Sequence, residues 1–208
     1  MKCVSGVLQR MAAPCDYVKE SSHRSLVRAF RSFKYRFTTG AELAALLSAI
    51  KAVLERHGSL EACFVQGLNH EHETVIPALT AFVGELSKGI DKRPRSLLPS
   101  PQAGSACKRL NLFLRWMVRH DDVDPGGWDR VPCSKLVVPL DVHLHRISMR
   151  LGLTRRKQAD LAAALEITAA FRNIEPEDPV RYDFCLTRLG IRDDLDPDQF
   201  LRACAAGR

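Results

Sequence analysis

The sequence predicts an all-α fold of about eight helices, and three observations carry that prediction. Apolar residues recur at three- and four-residue intervals through most of the chain, the period of a helix that buries one face. Capping residues and glycine or proline stops bracket these runs. No convincing strand, internal repeat or low-complexity tract interrupts the pattern.

Taken in order, residues 2–12 are expected to form a short helix and 16–25 a polar connection. From His23 to Phe37 basic residues alternate with Leu26, Val27, Phe30, Phe33 and Phe37, which predicts a helix at the start and a packed basic face. Thr39 and Glu42 form a capping box for a helix running to His57, where Gly58 supplies the stop. Ser59 caps a short helix to about Gln66, and 67–73 is a loop. Val75, Leu79, Phe82, Val83 and Leu86 mark the next helix, with Pro77 tolerable only in its first turn. Residues 90–104 carry three basic residues and three prolines and read as an irregular connection ending in a tight turn.

Beyond that turn Gly104 and Ser105 introduce a helix, Ser105 as its cap, with Ala106, Cys107, Leu110, Phe113, Leu114, Met117 and Val118 inward. Lys108, Asn111, Leu112, Arg115 and Arg119 fall on the opposite side, so Lys108 is expected to head a basic stripe. Residues 121–139 form a second long connection, with Trp128 expected to anchor a single helical turn. Pro139 and Leu140 lead into Asp141, at or beside the N-cap of a helix that buries Leu144, Ile147 and Leu151. A helix over 154–174 should bury Leu161, Ala164, Leu165, Thr168 and Phe171. Asp178 with Pro179 opens one further helix that Gly190 closes, and Asp196 with Pro197 opens the last.

With 208 residues, 46% of them hydrophobic, the chain can fill one sizeable core, and a single domain is expected. Thirty-one Lys and Arg against twenty-four Asp and Glu leave a formal charge of +7, which suits a phosphate-backbone partner. The seven cysteines are scattered without a C-x-x-C, which argues against a disulfide framework, a zinc ribbon or an iron–sulfur loop and fits a reduced cytoplasm. No apolar run approaches the roughly 20 residues of a membrane-spanning helix, and the apolar part of the N-terminus is too short for a signal peptide. His70 and His72 lie in the predicted loop without further ligands, and on a helix His143 and His145 diverge, so no metal is expected. Asp121, Asp122 and Asp124 resemble the beginning of a cation loop but lack its remaining ligands.

Lys108 in a helix that follows a turn, then Pro139-Leu140-Asp141-Val142-His143 with Arg146 and Leu151-Gly152-Leu153, resembles the helix-hairpin-helix base-excision DNA glycosylases. The spacing of thirty-three residues between lysine and aspartate is similar to that of the archaeal-type 8-oxoguanine glycosylases. Residues 97–119 and the run DPVRYDFCLTRLG more closely resemble a bacterial family of uncharacterised glycosylase-like proteins, a likeness covering roughly residues 30–192. Its relatives are expected to begin some tens of residues earlier, with N-terminal helices that this chain lacks. The hairpin here keeps one glycine, Gly104, four residues before Lys108, where most of the superfamily has a second glycine two residues before the lysine.

The resemblance implies a base-excision repair enzyme that removes an oxidised purine such as 8-oxoguanine and then cuts the strand as an AP lyase, with no cofactor. In that family the aspartate, here Asp141, stabilises the positive charge that the deoxyribose gains as the base leaves. The lysine, here Lys108, attacks C1′ as the uncharged amine and forms a Schiff base. Duplex DNA with a damaged base or an abasic site is the implied partner, bound by a monomer. The expected contacts are the hairpin around Pro99, Ser100, Gly104 and Ser105 with Arg109, Arg115, Arg119, His143 and Arg146, because helix N-termini and cations hold phosphates. Trp116, Trp128, Tyr182 and Phe184 are the residues that could stack on a flipped base, although packing in or beside the core is the commoner role for any one of them. Arg155, Arg156 and Lys157, expected at a helix N-terminus, would be eased by a nearby anion. Two other readings of the residues remain open: a non-catalytic DNA-binding module on the same scaffold, and a helical protein-interaction domain whose basic surface is incidental.

Overall fold

The computed structural model describes residues 2–90, 96–192, 194 and 196–206. The fold is all-α: eleven α-helices and one two-stranded ribbon occur among the described residues. None of those helices is long and apolar enough to cross a membrane. The chain packs as two compact units, residues 1–67 with 80–99 and residues 68–79 with 100–208, a division that the length alone did not announce.

In the first unit, α1 (Lys2–Arg10), α2 (Pro14–Glu20) and α3 (His23–Phe30) precede a hairpin of β1 (Lys34–Tyr35) and β2 (Thr38–Thr39). The expected polar connection over 16–25 is therefore mostly helix, begun by Pro14 at its first position and, after Ser21, restarted by the Ser22 side chain, which accepts the Ser25 N–H. The capping box of Thr39 and Glu42 is present and starts α4 (Gly40–His57), and Gly58 ends it at φ +79°. Met11, Val18, Leu26, Phe30, Ala44 and Leu47 form the core here. Gly40 is required by close approach, since a Cβ there would lie 1.7 Å from the carbonyl oxygen of Phe30. Ser59 caps α5 (Leu60–Val65), and α6 (Ile76–Ser87), within which the division between the units falls, places Phe82 edge-on to Phe64 at 5.7 Å.

In the second unit the expected helix after the turn begins later than Ser105. A 3₁₀ turn (Pro101–Ala103) leads into Gly104 at φ +76°, and the Ser105 hydroxyl accepts the Cys107 N–H instead of capping a helix. Cys107 then takes a left-handed conformation, φ 48°, as N-cap of α7 (Lys108–Val118). Leu110, Leu114 and Val118 pack inward, as do Leu144 and Ile147 of α8 (Val142–Arg150) and Ala163, Ala164, Ile167 and Phe171 of α9 (Leu161–Arg172). The buried run 136–140 crosses this core, and the Val138 N–H donates to the Thr168 hydroxyl at 3.2 Å. Side chains of this size are each worth about 1.5–3 kcal/mol on full burial, which fixes the helices against one another.

Two expectations fail here for local reasons. Helix α9 starts at Leu161 because Asp160 caps it, while 154–160 folds as a loop in which Arg156 pairs with Asp160 and Thr154 donates to Glu166. Trp128 anchors no helical turn; the single turn lies at Cys133–Lys135. Helices α10 (Asp183–Leu189) and α11 (Pro197–Ala206) complete the unit.

Candidate functional site

The two residues singled out from the sequence meet. Lys108 is the first residue of α7, Asp141 is the N-cap of α8, and Lys108 Nζ donates to Asp141 Oδ2 at 3.0 Å. The other carboxylate oxygen, Oδ1, accepts the N–H groups of His143 at 3.0 Å and Leu144 at 2.8 Å. Asp141 is therefore both cap and partner. Burial works to raise its pKa, but the Leu144 N–H, the Lys108 ammonium and the His143 N–H outweigh that and hold the carboxyl below its ordinary range. The lysine stem is half exposed and the carboxylate is mostly enclosed, so the pair has one open side.

Neighbouring contacts hold these two helix starts. Asn111 Nδ2 donates to the Ala106 carbonyl at 2.9 Å, and the Leu161 N–H donates to the Gly104 carbonyl at 2.9 Å, which ties the turn before α7 to the start of α9. His143 Nδ1 lies 2.8 Å from the Gly190 carbonyl at the end of α10. Gly190 permits that approach, because a Cβ there would stand 3.0 Å from the Cβ of His143.

The expected basic stripe is corrected. Arg115 and Arg119 are only 3% and 7% exposed and lie in a buried ionic cluster, so neither is placed to meet a phosphate. Arg115 Nη2 is 3.1 Å from Asp124 Oδ2, and Arg115 Nε is 3.4 Å from Asp183 Oδ1. Arg119 pairs with Asp124, with Asp121 at 2.9 Å and with Asp178 at 2.9 Å. Burial opposes the Arg119 charge, but the Asp178, Asp121 and Asp124 carboxylates more than compensate and keep the guanidinium charged. Asp183 is 1% exposed and faces Arg115. Burial pushes its pKa up to about 7 against the opposing pull of Arg115, the Phe184 N–H and Arg119.

Trp128 is corrected as well. It is 6% exposed and meets Phe113 edge-on at 5.4 Å, a packing role that leaves no face for a base. Trp116, at 45%, is open to solvent. Phe184 lies under two guanidinium groups, Arg115 at 5.8 Å and Arg188 at 5.5 Å. Tyr182 lines an apolar cavity of about 390 Å³ with Leu151, Phe171 and Leu186. Of the expected phosphate contacts, Gly104, Arg109 and Arg146 are exposed, Ser100, Ser105 and His143 are half-buried, and Pro99 is the last residue of the first unit. His145 is buried against the Arg156 carbonyl at 2.9 Å, and Arg156 is paired with Asp160 in a loop instead of heading a helix. Among the described residues, no three of His, Cys, Asp and Glu are arranged to hold a metal ion.

The ionic cluster was the part that the sequence reading missed, although one signal for it existed. Val180, Asp183 and Leu186 recur at three-residue steps, which places an aspartate on an apolar stripe.

Fold and site thus define an all-α protein in which a lysine that opens one helix is paired with the aspartate that caps the next. Residues 1–192 match the model of the family described as a protein of unknown function, DUF2400, and the chain belongs to that family. No curated protein and no solved structure matches the chain.

Proposed function

We propose that this protein is a helix-hairpin-helix base-excision repair glycosylase with AP lyase activity, acting on an oxidised purine of the 8-oxoguanine kind in DNA. The observation that carries the reading is the 3.0 Å contact between Lys108 Nζ and Asp141 Oδ2, made by the first residue of one helix and the cap of another. Asp141 has its pKa lowered, which suits a carboxylate that stays ionised and stabilises charge over one that delivers protons. As the bond from C1′ to the base breaks, its electron pair leaves with the base and the sugar gains positive charge beside Asp141. The departing base takes a proton from Lys108, and the freed amine lone pair bonds to C1′. Opening of the sugar ring gives the Schiff base; loss of a C2′ proton then expels the 3′ phosphate and cuts the strand.

Sodium borohydride trapping tests this reading on duplexes carrying 8-oxoguanine or an abasic site. The expected result is a covalent adduct on both substrates that disappears with Lys108→Ala. An adduct on the abasic site alone would leave a lyase without base removal. No adduct from folded protein that still binds the duplex would overturn the catalytic reading and leave a DNA-binding module in which Lys108 and Asp141 only join two helices.

A further inference from the structure

Residues 21–41 contain five Arg and Lys and no acidic residue. Arg24, Arg28 and Arg31 recur at four and three residues, so they share one face of α3 and its C-terminal cap. Lys34 and Arg36 continue the series into the β1–β2 hairpin. All five side chains are exposed, and none is ion-paired with a described residue.

At the tip of this hairpin stands Phe37, 88% exposed, with Tyr35 beside it partly open and covered by the Arg36 guanidinium at 5.8 Å from the ring centre. The two-residue loop forces Arg36 to φ 53°, a conformation that glycine or asparagine adopts at less cost. A long cation held in a strained loop next to an aromatic ring open to solvent has no folding role that the contacts of this unit account for.

We infer that α3 and the hairpin form a nucleic-acid-binding surface in which the cations track the phosphates and Phe37 stacks on an unpaired base. Cationic grooves with projecting aromatic rings bind single strands in this manner, because every base has a π-face and every nucleotide a charge. An anionic membrane would need a broad apolar face. Helix α3 has none to offer, since Leu26 and Phe30 are fully buried in the core of the first unit. The inference does not depend on the chemistry of Lys108, which lies in the other unit.

The test uses the full chain and two probes: a fluorescent single strand, and a duplex with one unpaired 2-aminopurine. Binding is expected to quench the 2-aminopurine. Phe37→Ala should abolish the quench and weaken binding by about 5- to 160-fold, the range for one stacked base, and Phe37→Trp should restore both. Arg28→Ala and Lys34→Ala should each lower the slope of log affinity against log salt by about 0.7. All of these side chains are exposed, and each variant is checked for folding by circular dichroism. Unchanged quenching and affinity in Phe37→Ala would overturn the inference, as would binding to phosphatidylserine vesicles that the oligonucleotide does not displace. A borohydride adduct with no Phe37 effect would refute this surface and leave the Lys108 reading standing; quenching without an adduct would do the reverse.

Discussion

Asp183 offers the sharpest test of the buried cluster, because burial pushes its carboxyl pKa up to about 7. Burial is the dominant cause; Arg115 of α7, the Phe184 N–H and Arg119 at the C-cap of α7 pull the other way, and Asp124 adds to the rise. The direction of linkage follows from the proton count. Between an unfolded carboxyl pKa of about 3.9 and the folded value, the native state binds more protons than the unfolded one, so stability falls as pH rises across that window and levels off above it. From pH ~5 to pH ~8 most of two pH units lie below the folded pKa, which at about 1.4 kcal/mol per unit is about 3 kcal/mol. Asp183→Asn keeps the shape and removes the titration. Urea denaturation of both proteins at the two pH values isolates this group, since every other ionisable residue contributes to both. The wild type should lose about 3 kcal/mol more than the variant between pH ~5 and pH ~8. Parallel losses would refute the argument that desolvation governs Asp183, and would mean that Arg115 keeps it ionised across the whole window instead.

Asp141 and the two tryptophans give the remaining tests. Asp141→Asn retains an oxygen for the two cap hydrogen bonds and loses the charge facing Lys108, so adduct formation should slow by at least about a hundredfold while the helix cap is kept. Asp141→Ala loses the cap as well and should cost about 1 kcal/mol more in urea. Because the folded pKa of Asp141 is depressed, its contribution is present above the ordinary carboxylate range and should vanish as pH falls through the lowered value, closing the gap between wild type and Asp141→Asn in acid. Trp128→Ala should destabilise the fold by about 3–5 kcal/mol, whereas Trp116→Ala should stay within about 0.5 kcal/mol. Equal effects in denaturant would contradict the placement of Trp128 against Phe113.

How legible each feature was in the sequence depended on the range of the interaction that made it. Caps act over three or four residues, so Thr39 with Glu42, Ser59, Gly58 and Asp141 could be read directly. Helices of seven or eight residues span only two turns, too few for periodicity to declare itself, which is why 16–25 read as a polar connection. The start of α9 was misplaced because Thr154 and Asp160 both look like caps, and only the tertiary partner of Thr154, Glu166, decides between them. Arg115 and Arg119 read as a solvated face because a charge is expected outside unless it is paired. Their partners lie up to 68 residues away, as Asp183 does from Arg115, and no local pattern reports such a pairing. Lys108 and Asp141 were legible as two helix starts, and the contact between them came from the packing of α7 and α8 onto one core.

The cluster that was hidden bears directly on the pair that was not. Buried ion pairs add little net stability, because desolvation of both charges offsets their attraction, but breaking one strands a charge at a cost of several kcal/mol. A shift of α7 by one turn would carry Arg115 and Arg119 about 5 Å from Asp124, Asp178 and Asp183, so the cluster fixes the axial position of this helix far more firmly than apolar side chains, which tolerate sliding. Lys108 sits two turns from Arg115 on the same helix, and α10, which carries Asp183, holds α8 through Gly190 and His143. Both members of the pair are thereby referred to a single buried anchor. Chemistry at C1′ would need such a reference, because an error of about 1 Å between a nucleophile and the group that stabilises its transition state costs roughly a hundredfold in rate.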